Sequence, residues 1–264
     1  MPTLIDPNTP PWSNVPDELA RRKQWIIWDR KQKDGKWTKE PRGPARPKAE
    51  PINVQDTDWH VTLIAALRAW QLKNVAGVGF VFMPTDTYMG IDLDHCRNQE
   101  AGEIDEWALD IIVAVNSYTE ITPSQEGFHI ICKGSLRPFL DPHKSGRKIK
   151  GMGPNPDAAF EAYDEKRFFT FTGDALPGFT HVTEAQPALN ILIPPLFEQF
   201  DDEIPLDTGT RAPILSDDTV ISKLQAHEKA GILWRGGLLP HHNDDDSTGD
   251  MAFISYVAFY ANGN

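Results

Sequence analysis

Cysteine is scarce in this chain, a long apolar run is missing, and so is a basic leader. The only cysteines among 264 residues are Cys96 and Cys132, neither in a Cys-x-x-Cys. A disulfide framework and a structural zinc site are therefore not expected, and both thiols read as packing residues. No apolar stretch approaches the roughly 20 residues of a membrane span. The opening MPTLIDPNTPPWSNVPDE lacks the basic-then-apolar order of a secretory leader. The expectation is an intracellular protein without membrane partners. No internal repeat is visible.

The formal net charge of −12 is unevenly spread. Residues 21–48 hold eleven Lys or Arg against three acids, residues 143–150 four against none, and residues 198–264 four against twelve. A phosphate-binding face is therefore compatible with the acidic total, because steering depends on the local field.

Five prolines in the first 18 residues suggest an extended arm over 1–20. RKQWIIWDRK reads as a strand, followed by a Pro- and Gly-rich loop through Pro51. DTDWHVTLIAALRAWQLK has apolar residues at helical spacing. VGFVFM and YMGIDLD read as a hairpin joined at Pro84–Thr87, and EIDEWALDIIVAVN is the clearest amphipathic helix. SYTEIT and FHIICKG read as strands about a Pro-Ser-Gln-Glu-Gly turn. A basic loop, HKSGRKIKGMGPNPD, then precedes a second hairpin, AAFEAYDEKRFFTFTGD. This order favours an α+β domain over 21–195 with a mainly antiparallel sheet and flanking helices. Residues 196–216 read as a linker, and 217–264 as a small helical appendage, the start of a bundle.

The chemistry starts at MGIDLDHC. In a strand, Asp92 and Asp94 share one face while Ile91 and Leu93 take the other. Paired carboxylates repel, more so when buried, and a divalent cation between them is the simplest remedy. Glu161, in the strand AAFEAYD, can bring a third carboxylate from a neighbouring strand and complete a site for two magnesium ions. His129 follows a tight turn in which Ser124, Gly127 and backbone N–H groups can face phosphate oxygens. Lys36, Trp37, Lys39 and Arg42, with Arg147, Lys148 and Lys150, are candidates for holding a nucleic-acid backbone, with Trp37 offering a stacking surface.

Taken together, GIDLDH, SYTEITPSQEGFHI and FEAYDEKRFFTFTG resemble the primase-polymerase domain of the archaeo-eukaryotic primase superfamily, in its phage and plasmid branch. QWIIW followed by TKEPRGP is similar to that branch as well, and the resemblance covers roughly residues 20–180. It implies an RRM-like catalytic core in which Asp92, Asp94 and Glu161 hold two Mg²⁺ or Mn²⁺ ions. It also implies that Ser124 and His129 contact the triphosphate of an incoming nucleotide, and that Arg167 contacts phosphate or nucleotide. Lys39 matches a family lysine that precedes a proline. Gln125 departs from the pattern, since relatives often carry Gly directly after the Ser.

The implied activity is a template-directed nucleotidyltransferase, a DNA primase and polymerase working on single-stranded DNA with nucleoside triphosphates in the cytoplasm of a bacterial or archaeal host. A helicase is expected in cis beyond residue 264 or in trans. The rival reading is a DNA-binding replication-initiator module of the same fold with little or no synthetic activity. Two other enzyme classes fit less well: a Toprim site places its glutamate before the Asp-x-Asp, and a rolling-circle initiator needs two histidines where FHIIC has one.

Overall fold

The computed structural model describes residues 9–33, 35–45, 51–141, 143–199 and 217–226, together with 232, 234 and 235. The chain divides into two compact units, 1–200 and 201–264.

The first unit is α+β, as the element pattern implied. It opens with a 3₁₀ turn, Trp12–Asn14, and a short helix α1, Asp17–Ala20. An antiparallel pair follows, β1 (Trp25–Lys33) and β2 (Lys36–Arg42). Next come helix α2 (Leu63–Lys73) and strands β3 (Gly77–Phe82) and β4 (Tyr88–Asp94). Helix α3 (Glu106–Val115) leads into β5 (Tyr118–Ile121) and β6 (Phe128–Lys133). The last strands are β7 (Gly146–Lys150), β8 (Ala159–Tyr163) and β9 (Arg167–Phe171), before helix α4 (Gln186–Gln199). In the second unit the described helix is α5, Asp217–Ala226.

The strands form two sheets, β2-β1-β3-β9 and β5-β6-β4-β8-β7, antiparallel at every pairing. Period-two alternation in the second sheet sends Ile91, Leu93, Ile130, Cys132, Phe160 and Ala162 into one core, with Ala108, Ile111, Ile112 and Val115 of α3 and Leu189, Ile193 and Phe197 of α4. A second core joins the first sheet and α2 to the opposite face of the second sheet: Trp25, Phe80, Phe82, Phe169 and Phe171 meet Tyr118, Ile131 and Tyr163 there. Trp25 is fully buried against Phe80 and Phe171, with ring centroids 5.3 and 4.8 Å away.

Six sequence expectations are corrected. Residues 9–20 are not an extended arm, because Trp12, Val15 and Leu19 are buried and Trp12 packs edge-on to Trp70 at 5.5 Å. Both expected Pro/Gly-rich and basic loops contain strands, β2 and β7. Neither expected hairpin pairs with itself: β3 and β4 lie in different sheets, as do β8 and β9. The expected linker begins too early, since α4 runs through Pro194 and Pro195 to Gln199. A proline inside a helix costs about 3 kcal/mol. Burying Leu189, Ile193 and Phe197 contributes about 1.5–3 kcal/mol each, comparable to the cost of the two prolines together. Residues 200–216 and the helix expected over 247–260 lie outside the described residues.

Candidate functional site

The register of the second sheet sets five charged side chains in one row across all five strands. Glu120 of β5 is opposite His129 of β6, His129 opposite Asp92 of β4, Asp92 opposite Glu161 of β8, and Glu161 opposite Lys148 of β7. Directly opposed side chains in an antiparallel sheet have Cβ atoms about 4.5–5.5 Å apart, so each member of the row feels the next. His129 Nε2 lies 3.6 Å from Asp92 Oδ1, and its Nδ1 lies 3.9 Å from Glu120 Oε1. Lys148 forms an ion pair with Glu161 Oε1, while the Tyr163 hydroxyl donates to Glu161 Oε2 at 2.8 Å. Asp94 is two residues beyond Asp92 on the same face.

Electrostatics separates the two aspartates. Burial opposes ionisation of Asp92, but the adjoining His129 outweighs it and holds the carboxyl below its usual range. Asp94 is pushed up, first by burial and then by the charge of Asp92. Burial alone would lower His129; the Asp92 and Glu120 carboxylates instead raise it to about 9. The row therefore favours the charged form of His129, which lies between Asp92 and Glu120.

The first sheet supplies the opposite wall. A cavity of about 810 Å³ is lined by Asp92, His129 and Glu161 on one side and by Trp37, Lys39, Lys166, Arg167 and Thr170 on the other. Arg167 donates to the Tyr163 hydroxyl at 3.1 Å and lies over its ring at 4.5 Å. Lys39 donates to Thr170 Oγ1 at 3.4 Å. The cavity thus has an acidic floor and a basic wall, suited to a ligand that carries phosphates and is accompanied by cations.

Some expected residues lie elsewhere. Asp94, Ser124 and Gly127 do not line this cavity. Ser124 Oγ is hydrogen-bonded to Thr122 Oγ1 at 2.9 Å and accepts from the Glu126 N–H at 3.3 Å. Its turn is tied to the segment after Asp94: Arg97 donates to the Gln125 carbonyl at 2.8 Å and Gln99 to that of Ser124 at 2.9 Å. Gln125 adopts φ 66°, so it takes the left-handed conformation that a glycine would take more cheaply. Gly127 is buried where β6 begins, and a Cβ there would stand 2.1 Å from the Leu93 carbonyl oxygen. Its visible role is to allow the close approach of β4.

The basic candidates divide. Trp37 is 69% exposed, and Lys36 and Lys150 are exposed. Arg42 pairs with Glu40. Arg147 points to the other face of β7, donating to the Phe197 carbonyl at 2.9 Å and lying over the Phe197 ring. It braces α4, which corrects its expected place on the nucleic-acid face. Lys148 belongs to the carboxylate row. Glu120 and Tyr163 are additions to the expected set: period two in FEAYD puts Tyr163 on the face of Glu161, whereas SYTEIT holds no expected site residue that would mark the face of Glu120.

Among the described residues no three His, Cys, Asp or Glu side chains converge as a formed metal centre. The donor set still suits a hard divalent cation, being all carboxylate oxygen. Asp94 is pushed up by burial first and then by the charge of Asp92, and a cation beside the pair would relieve that second contribution. Glu161 already has Lys148 and Tyr163 as partners.

No protein-family model matches the chain. A curated protein named DNA Primase-polymerase, from Nitratiruptor phage NrS-1, is 28% identical over 244 residues, which is 92% of this chain. The chain is thus similar over nearly its whole length to part of a phage primase-polymerase. The chain spans about a third (31%) of that relative's length. The antiparallel α+β architecture is the one that a primase-polymerase resemblance implies. Among the described residues no helix is long and apolar enough to cross a membrane.

Proposed function

We propose that the chain is a template-directed nucleotidyltransferase, a DNA primase and polymerase that joins nucleotides with release of pyrophosphate. The observation that carries this reading is the register that sets Asp92 between His129 and Glu161, facing a wall that holds Lys39 and Arg167. Asp92, Asp94 and Glu161 would hold two Mg²⁺ or Mn²⁺ ions. Such ions, when bound, lower the pKa of the attacking 3′-hydroxyl and stabilise charge on the triphosphate. His129 contacts the triphosphate from the floor of the cavity, and Arg167 and Lys39 balance its charge from the wall. Tyr163 and Lys148 hold both oxygens of Glu161, so that its carboxylate keeps its orientation. Ser124 acts through the turn that orders the strand of His129. Trp37, on the exposed rim, stacks a template base. Partners under this reading are single-stranded DNA, nucleoside triphosphates and a helicase in cis or in trans.

The test is primer synthesis on an unprimed single-stranded template, and extension of a supplied primer, with each metal and each nucleotide set. Products that require template, divalent metal and triphosphate support the reading. Retained DNA binding without product under every combination favours the non-synthetic initiator module.

The structure also selects which basic residues to reverse. Lys36→Glu with Lys150→Glu should weaken single-strand binding and make the salt slope shallower by about 1.4, since each phosphate that a lysine neutralises contributes about 0.7. Arg42→Gln should change that slope less than the double reversal, because Arg42 is largely buried and paired with Glu40, which it shares with Lys31. Fluorescence anisotropy across a salt series measures both. An unchanged slope in the double reversal would remove these lysines from the DNA interface.

A further inference from the structure

Glu120 is fully buried, and a carboxylate is costly to bury unless its oxygens are satisfied. Here they are: it accepts from the Tyr118 hydroxyl at 2.8 Å, the Thr172 N–H at 3.0 Å and the Gly173 N–H at 2.9 Å. Thr172 directly follows β9, so these bonds hold the end of a first-sheet strand onto β5 of the second sheet. Thr172 Oγ1 adds a bond to the Ile121 carbonyl at 2.7 Å, and the Ile121 N–H one to the Asp174 carbonyl at 2.9 Å.

His129 sits inside this arrangement. Its Nδ1 lies 3.9 Å from Glu120 Oε1, too long for a hydrogen bond, and has no other partner among the described atoms. Its Nε2 faces Asp92, and its ring stacks on Phe169 at 4.7 Å and 28°. Phe169 belongs to β9, the strand whose exit Glu120 ties down. One carboxylate thus fixes the ring on two sides, by charge at Nδ1 and through the strand that carries its stacking partner.

We propose that Glu120 is a positioning residue for nucleotide binding, which holds His129 edge-on toward Asp92 and the cavity through direct charge contact and through the anchored end of β9. The proposal rests on the reading of His129 as a triphosphate contact. Glu120 itself touches no substrate. A neutral amide is a poor replacement: glutamine turns an N–H₂ toward a site whose neighbours Thr172, Gly173 and Tyr118 all donate.

A double-mutant cycle tests this with the full chain in primer extension: Glu120→Gln, His129→Ala and the pair, each scored for nucleotide KM, kcat, template Kd and melting temperature. Glu120→Gln should raise KM about tenfold, as expected for losing one charge-assisted contact. His129→Ala should do the same, and the pair should be no worse than the poorer single variant, with template Kd unchanged. Tyr118→Phe controls for simple loss of stability: it removes one bond to the same carboxylate and should lower melting without moving KM. If Glu120→Gln does not fold, Glu120→Asp keeps the charge but withdraws it from His129, and should still raise KM. Multiplying effects in the pair, or an unchanged KM in whichever Glu120 variant folds, overturn the inference while His129→Ala still raises KM. An unchanged KM in His129→Ala overturns the reading of His129 and the inference with it.

Discussion

Asp94→Asn is expected to abolish synthesis while leaving the apo protein as stable as wild type or slightly more so. The substitution hardly changes side-chain volume, and Asp94 makes no hydrogen bond or ion pair that holds the fold among those described. Its ionised form is disfavoured in the folded protein by burial and by Asp92, which raises its pKa. The sign follows from linkage: a carboxyl whose folded pKa lies above its unfolded one opposes folding when charged, and that opposition fades as pH falls through the raised pKa. The variant's advantage should therefore appear near neutral pH, in chelator, and shrink in acid. Catalysis should move the other way. Losing even about 4 kcal/mol of transition-state charge stabilisation slows turnover roughly a thousandfold. Added Mn²⁺ or Mg²⁺ should raise the melting temperature of wild type and not of the variant. Primer extension and paired melts with and without metal measure all three. Near wild-type extension by a normally melting Asp94→Asn would mean that these aspartates are only a polar strand end.

Gly127→Ala should produce the largest loss of stability among simple substitutions near the site. A Cβ at Gly127 would stand 2.1 Å from the Leu93 carbonyl oxygen, 3.1 Å from its carbon and 3.2 Å from Asp94 Cα. All three atoms are backbone, and β4 is held on both sides, by β6 and by β8. No side chain can rotate away, so the strands must separate. Overpacking typically costs about 1–3 kcal/mol, and a clash against fixed backbone belongs at the upper end. About 3 kcal/mol corresponds to a fall in melting temperature of roughly 6–12 °C for a unit of this size. Because the clash falls at Leu93 and Asp94, the surviving folded fraction should also turn over more slowly. A melt within a degree of wild type would show that β4 and β6 can separate there without cost.

The residue pattern was enough to place Asp92 and Asp94 on one strand face, because a strand's period of two is local. It was enough for α3 too, whose apolar face follows from the helical period and from burial of Ala108, Ile111, Ile112 and Val115. The missing information was pairing. Pro84–Thr87 and the middle of AAFEAYDEKRFFTFTGD read as hairpin connections, since a short polar connection looks the same whether the next strand folds back beside its predecessor or crosses to another sheet. β3 gives no cue, being buried along its whole length. Its crossing is decided by contacts far apart in sequence, such as Val78 with Phe171.

The same limit explains the mixed outcome at the basic cluster GRKIK. Arg147 and Lys148 are adjacent and equally charged, yet the pleat sends one to α4 and the other to Glu161. Composition could mark both as candidates for a polyanion. It could not say which face of β7 met which neighbour. The row Glu120, His129, Asp92, Glu161, Lys148 has the same origin: its chemistry was present in five separate strands, and only the register of the assembled sheet put those side chains in line. Local periodicity is a property of a few consecutive residues, whereas register is settled by burial and hydrogen bonding between strands distant in the chain.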